Sequence, residues 1–128
     1  MSRKNISGNS PWEVTVGYSR AVRVGNLLEI AGTTSVKDGK PYGVGDPYKQ
    51  TQHILKTIEG ILAAEGMSLE NVIRTRMFVT DITHWEEIGK AHGEFFAEIK
   101  PAATMVEVSS LIDPDLLVEI EVTAVESI

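Results

Sequence analysis

Cysteine is absent from the 128 residues. That absence removes disulfides, thiolate nucleophiles and cysteine-ligated zinc from consideration. Long apolar runs are absent too: none approaches the roughly 20 residues of a membrane-spanning helix. The stretch from Met1 to Ser10 is polar and lacks the apolar centre of a secretory signal. A cytoplasmic location with no membrane partner is the expectation. Positive charge is scarce, with 12 Lys+Arg against 18 Asp+Glu and a formal net charge of -6. No basic stripe offsets this balance. Because phosphate contacts supply most nucleic-acid affinity, no nucleic-acid partner is expected. Metal-ligand spacing is missing as well, since His53, His84 and His92 stand far apart with no His or Cys at i+4. Gly43-Val44-Gly45-Asp46-Pro47 has glycines but neither the Lys-Ser/Thr of a P-loop nor G-x-G-x-x-G spacing. Ser19, in Gly17-Tyr18-Ser19, lacks the G-x-S-x-G surroundings of a hydrolase elbow. No metal and no cofactor are expected.

What remains is an ordinary globular composition, 42% hydrophobic and 23% charged, at the length of one domain. Residues 1–128 are read as a single domain. Val14, Val16 and Tyr18 alternate with polar residues and predict a strand. Val22 to Val24 and Leu27 to Ala31 flank Gly25-Asn26 and predict a hairpin. Val36 to Gly45 reads as loop. Asp46-Pro47 then opens a helix, with Asp as N-cap and Pro in the first turn. Its buried stripe is Thr51, Ile54, Leu55, Ile58, Ile61 and Leu62, and Gly66 is placed to end it. Val72 to Asp81 is a strand. Thr83 and Glu86 have capping-box spacing before a second helix, whose stripe is Trp85, Ile88, His92, Phe95, Phe96 and Ile99. Pro101 ends it. His92 is expected to be a core histidine with one satisfied hydrogen bond, and His53 and His84 to be solvated. Ala103 to Ser109 and Leu117 to Val125 are the last strands, with Asp113-Pro114-Asp115 as a turn.

Two helices cannot cover both faces of so wide a sheet, so an α/β domain of two layers is expected, with both helices on one face. Alternation assigns Ile73, Met77 and Val79, then Thr104, Val106 and Val108, then Val118, Ile120, Val122 and Ala124 to the helix side. The other face receives Arg74, Arg76, Phe78 and Thr80, then Ala103, Met105 and Glu107, then Leu117, Glu119, Glu121 and Thr123. Such a face is either solvated, with arginines paired to glutamates across strands, or a subunit interface containing a polar pocket. Glu119 and Glu121, about 7 Å apart on one face, have the spacing of an acid and base pair. Pairing with Arg74 and Arg76 is the plainer alternative.

Several segments together resemble the RidA/YjgF family. They are Gly17-Tyr18-Ser19, Val24-Gly25-Asn26-Leu27-Leu28, Ala31-Gly32, Arg76-Met77-Phe78-Val79-Thr80-Asp81, Phe95-Phe96, Pro101-Ala102-Ala103-Thr104-Met105-Val106-Glu107-Val108 and Val118-Glu119-Ile120-Glu121. Their order and spacing cover nearly the whole chain. The resemblance implies a chorismate-mutase-like fold and a homotrimer whose sheets face inward, with small-molecule clefts between subunits. It favours the interface reading of the uncovered face. The implied activity is hydrolysis of enamine or imine intermediates to 2-oxo acids and ammonia. By resemblance, Tyr18 is a pocket tyrosine, Gly32 lines the cleft, and Glu119 is the glutamate associated with the attacking water. Ala103 stands where the deaminases carry the arginine that clamps the substrate carboxylate, and Gly89 where they often carry asparagine. A subfamily lacking that arginine is implied, with a substrate other than 2-aminoacrylate. Arg76, assigned with Ala103, Met105 and Glu119 to one face, is the candidate replacement cation. Its pairing with Glu107, Glu119 or Glu121 is the competing reading. The alternative function is a metabolite-binding trimer without turnover, and ribonuclease activity ranks below both.

Overall fold

A computed structural model of the chain describes residues 2–127. Its six-stranded sheet is built from β1 (Arg3–Ile6), β2 (Ala21–Val24), β3 (Leu27–Thr34), β6 (Val72–Val79), β7 (Ala102–Glu107) and β8 (Val118–Val125). The strand order is β1-β2-β3-β8-β6-β7. All pairings are antiparallel except β6 with β7. The helices α1 (Pro47–Ala64) and α2 (Trp85–Phe96) pack together on one side of the sheet. The expected two-layer α/β architecture is therefore present.

Local chemistry explains most boundaries. The β2–β3 hairpin turns on Gly25-Asn26, where Gly25 takes φ 59° and Val24 pairs with Leu27. A two-residue loop of that kind needs positive φ, which glycine supplies at no steric cost. Asp46 accepts a bond from the Lys49 amide at 3.0 Å and caps α1, with Pro47 in the first turn. Thr51, Ile54, Leu55, Ile58 and Leu62 of α1 are fully buried against Leu28, Ile30, Val118, Ile120 and Val122 of the sheet. Gly66, at φ 73°, follows the end of α1. Strand β8 alternates cleanly: Val118, Ile120, Val122 and Ala124 are buried, and Glu119, Glu121 and Thr123 face the other way.

Gln50 performs a separate task. It is fully buried, donating to the carbonyls of Gly43 (3.1 Å) and Asp115 (2.9 Å) and accepting from the Leu117 amide (2.8 Å). It thus ties the loop entering β8 to α1. Gln50→Ala would leave those backbone groups without partners, and we expect a loss of about 3 kcal/mol in urea unfolding.

Five expectations fail. Residues 14–18 are not a strand. Glu13–Gly17 forms a single π-helical turn in which Val14 is 91% exposed, so alternation there reports no sheet contact. The place beside β2 is taken by β1, from the polar N-terminus. Within 36–45, β4 (Val36–Lys37) and β5 (Lys40–Pro41) form a small hairpin around Asp38-Gly39, both at positive φ. The second helix has no capping box at Thr83. Asp81 instead accepts from the Thr83 amide at 3.0 Å and caps a 3-10 turn over Ile82–His84, which leaves Trp85 exposed rather than in the stripe. In β6 a bulge between Val72 and Arg74 turns Ile73 outward and Val72 inward.

The fifth failure concerns β7. Parallel pairing sets Thr75 beside Ala103 and Met77 beside Met105. Paired residues share a face, so Ala103 and Met105 lie on the helix side, and Met105 packs against the core. Thr104 and Val106 share the open face with Arg76 and Phe78. The assignment of Ala103 and Met105 to the Arg76 and Glu119 face is therefore inverted. An edge strand touched on one side only gives alternation little to record.

Candidate functional site on the uncovered sheet face

The sheet face opposite the helices mixes charged and apolar side chains. Glu119 sits at its centre on β8, in register with Phe78 of β6 and Thr34 of β3. It is half-buried, and its carboxylate lies directly against Gly32. A Cβ at position 32 would fall 2.5 Å from Glu119 Oε2. The β3–β8 register shifts between Ile30 and Thr33, and that irregularity brings Gly32 against Glu119. Burial pushes the Glu119 carboxyl above its ordinary range, nearby Arg20 pulls it back, and Glu121 pushes it up again.

Two depressions meet at Glu121. One, of about 360 Å³, is lined by Gly32, Phe78, Val108, Ser110, Leu111, Glu119 and Glu121. The other, of about 250 Å³, includes Ser19, Glu29, Arg74, Arg76, Glu121 and Thr123 in its wall. Arg76 pairs with Glu121 at 3.5 Å, both side chains being close to half exposed. The competing reading of Arg76 is the observed one. Arg76 stands in the wall of the second depression, not beside Glu119.

Of the residues singled out from the sequence, Glu119 and Gly32 come together. Arg76 is a neighbour one depression away. Tyr18 follows the exposed π-helical turn and lines neither depression. Ala103 is exposed on β7, and Met105 lies inward beside Met77.

Sequence reading missed Arg20. It donates from Nη2 to the Gly32 carbonyl at 2.6 Å. The available signal was its position, one residue before the buried Ala21 and hence on the opposite, uncovered face.

The histidines are placed elsewhere. His92 is half-buried on α2, with Nε2 2.9 Å from Thr75 Oγ1 and its ring 4.7 Å from that of Phe96. Burial lowers its pKa, so it is neutral at pH 7. This is the expected core histidine. His53 departs from the solvated expectation: it packs on Tyr42 at 4.7 Å and meets the Val36 carbonyl at 3.1 Å. Among the described residues no group of three or more His, Asp or Glu is arranged to hold a metal ion. No helix among them is long and apolar enough to cross a membrane.

Known proteins with this fold place the chain. The family model described as Endoribonuclease L-PSP matches residues 8–126. A structure of a YjgF/YER057c/UK114 family member from Mycobacterium tuberculosis is 46% identical, covers 98% of this chain and 100% of its own, and superposes with a TM-score of 0.87. A RutC family protein of Pyrococcus horikoshii is 39% identical over 84% of this chain and 85% of its own length. A protein of Acinetobacter baylyi named 3-aminoacrylate deaminase RutC is 34% identical over 80% of this chain and 82% of its own. With the family model matching residues 8–126 and these relatives 34–46% identical over at least four-fifths of the chain, the chain belongs to the RidA/YjgF family.

Proposed function

We propose that the Glu119 depression is one chain's share of a small-molecule cleft, completed by a neighbouring copy in a homotrimer. The cleft hydrolyses an enamine or imine intermediate to a 2-oxo acid and ammonia, on a substrate other than 2-aminoacrylate. The observation that carries this reading is the half-buried carboxylate of Glu119, held against Gly32 on the sheet face that no helix covers. The Acinetobacter baylyi relative named for deaminating 3-aminoacrylate, an enamine, supports the reaction class.

The chemistry needs few groups. An enamine first gains a proton at carbon to become the imine. Glu119 then accepts a proton from water as the water oxygen bonds to the imine carbon. Glu119 returns that proton to nitrogen, the hydroxyl proton of the adduct then follows it to nitrogen, and the carbon–nitrogen bond breaks to release ammonia and leave a carbonyl. Tyr18, Ala103 and Met105 line neither depression of a single chain. Met105 packs inward against its own core and is left out of the cleft, whereas the exposed Tyr18 and Ala103 are assigned to walls contributed across the subunit boundary. With alanine at 103, no two-pronged cation waits there for a substrate carboxylate.

A second reading, a metabolite-binding trimer without turnover, is favoured by one observation: no arginine lines the Glu119 depression. RNA as substrate is disfavoured by the net charge of -6 and by two glutamates in the same wall.

The test is an assay with 2-aminoacrylate, 2-iminobutanoate and 3-aminoacrylate, each generated in place. We expect wild type to turn over 2-iminobutanoate and to be weak on 2-aminoacrylate; turnover of 3-aminoacrylate alone, which yields a 3-oxo acid, would keep the reaction class and replace the 2-oxo acid product. Ala103→Arg should raise 2-aminoacrylate hydrolysis about ten- to a hundredfold, the worth of one charged two-pronged contact. A wild type inert on all three, yet binding small 2-oxo acids, would favour the binding module instead.

A further inference from the structure

We infer that Arg20 is the positioning residue of this site, its guanidinium fixing the Gly32 peptide and placing positive charge across Gly32 from Glu119, given that Glu119 is the acceptor in the proposed hydrolysis. Its backbone is locked first. The Arg20 amide donates to the Ile6 carbonyl at 2.8 Å, and its carbonyl accepts from the Ala31 amide at 3.0 Å. Position 20 is thereby pinned between the β1 and β3 strands.

The side chain is held just as closely. Nη2 donates to the Gly32 carbonyl at 2.6 Å. Gly8 lies on the stem, so near that a Cβ there would sit 3.0 Å from Arg20 Cδ. The loop carrying Gly8 is itself fastened, because Glu13 accepts from the amides of Gly8 (2.8 Å) and Ser10 (3.2 Å). Arg20 Nε is buried and makes no hydrogen bond among the described residues. No described carboxylate comes within the 4.0 Å of an ion pair with it. A cation whose Nε is covered in this way costs stability unless its charge acts on something. Two carboxylates lie in its field, Glu13 on the loop that carries Gly8 and Glu119 across Gly32.

The charges facing Glu119 are few. Its own strand contributes Glu121, which is already engaged by Arg76 from β6. In register, β3 presents Thr34 and β6 presents Phe78. The loop after β7 presents Ser110 and Leu111. Arg20 is therefore the cation left to favour the carboxylate form against burial and Glu121.

The experiment is a carboxyl carbon NMR titration of the full chain, with Glu119→Gln assigning the Glu119 signal. In Arg20→Gln the Glu119 midpoint should move to higher pH. Arg20→Lys, which keeps a charge but not the fork, should stay near wild type. A folded Arg20→Gln with the wild-type midpoint would overturn the inference. Should Arg20→Gln not fold, wild type alone decides. Its Arg20 guanidinium nitrogen resonances should shift with the same midpoint as the Glu119 carboxyl, and the shift should vanish in Glu119→Gln; resonances flat across that midpoint overturn it. No substrate is involved, so a protein inactive on every enamine whose Glu119 still follows Arg20 would sink the hydrolase reading alone.

Discussion

Glu119→Gln is expected to lower hydrolysis of the enamine or imine substrate about 10²–10⁴-fold, the usual contribution of a positioned general base. The amide keeps the shape and much of the hydrogen bonding of the carboxylate but accepts no proton. The same substitution should not harm the fold. Burial and Glu121 raise the Glu119 pKa, against the pull of Arg20, so the folded chain holds this proton more tightly than the unfolded one. Folding stability then falls as pH rises from the unfolded carboxyl value through the raised folded value. Above that window the ionised carboxylate costs stability, and a neutral glutamine does not. Glu119→Gln should therefore show an equal or higher urea midpoint at pH 7 than wild type. The activity of wild type should decline on the acid side as Glu119 protonates, at a pH above the ordinary carboxylate range. A variant that loses activity and stability together would assign Glu119 a structural role instead.

Gly32→Ala is expected to be nearly as damaging, by a different route. The new methyl would lie 2.5 Å from Glu119 Oε2 and 2.9 Å from Cδ, too close for both to keep their places. Gly32 is not among the positive-φ glycines, so its backbone accepts alanine without strain. What yields is the far end of the Glu119 side chain. Moving the carboxylate by about 1 Å costs on the order of 10²-fold in a reaction that depends on alignment. Unfolding measurements should show a change of less than about 1 kcal/mol, since the relief is a side-chain rotation and no cavity is made. The double variant with Glu119→Gln should be no slower than Glu119→Gln alone, because both remove one function. Additive losses would show that Gly32 acts apart from Glu119.

Much of this architecture was legible in the sequence, for identifiable reasons. The hairpin at Gly25-Asn26, the Asp46-Pro47 start of α1 and the alternation of β8 are signals in which local chemistry and burial agree. Glu119 and Gly32 were legible through the family resemblance, and the structure brings them together. The failures have one physical theme, which is that alternation speaks only where a residue is covered. Val14 and Val16 alternate in solvent. Edge strand β7 is covered so thinly that alternation assigned Thr104 and Val106 to the helix side and Met105 to the open face, the reverse of the observed arrangement. Bulges at Ile73 and near Gly32 exchange faces within a strand, and no residue type marks them in advance. Arg20 escaped because alternation gives its face but not its partner, a backbone carbonyl.

The central claim is that the uncovered sheet face is the functional one and that a neighbouring copy completes it. Light scattering on the purified full chain tests this most directly. The account predicts a species of three times the 14.0 kDa of one chain, stable to dilution. A stable monomer would contradict it, leaving Glu119 and Gly32 in an open depression and Tyr18 and Ala103 with no cleft to line.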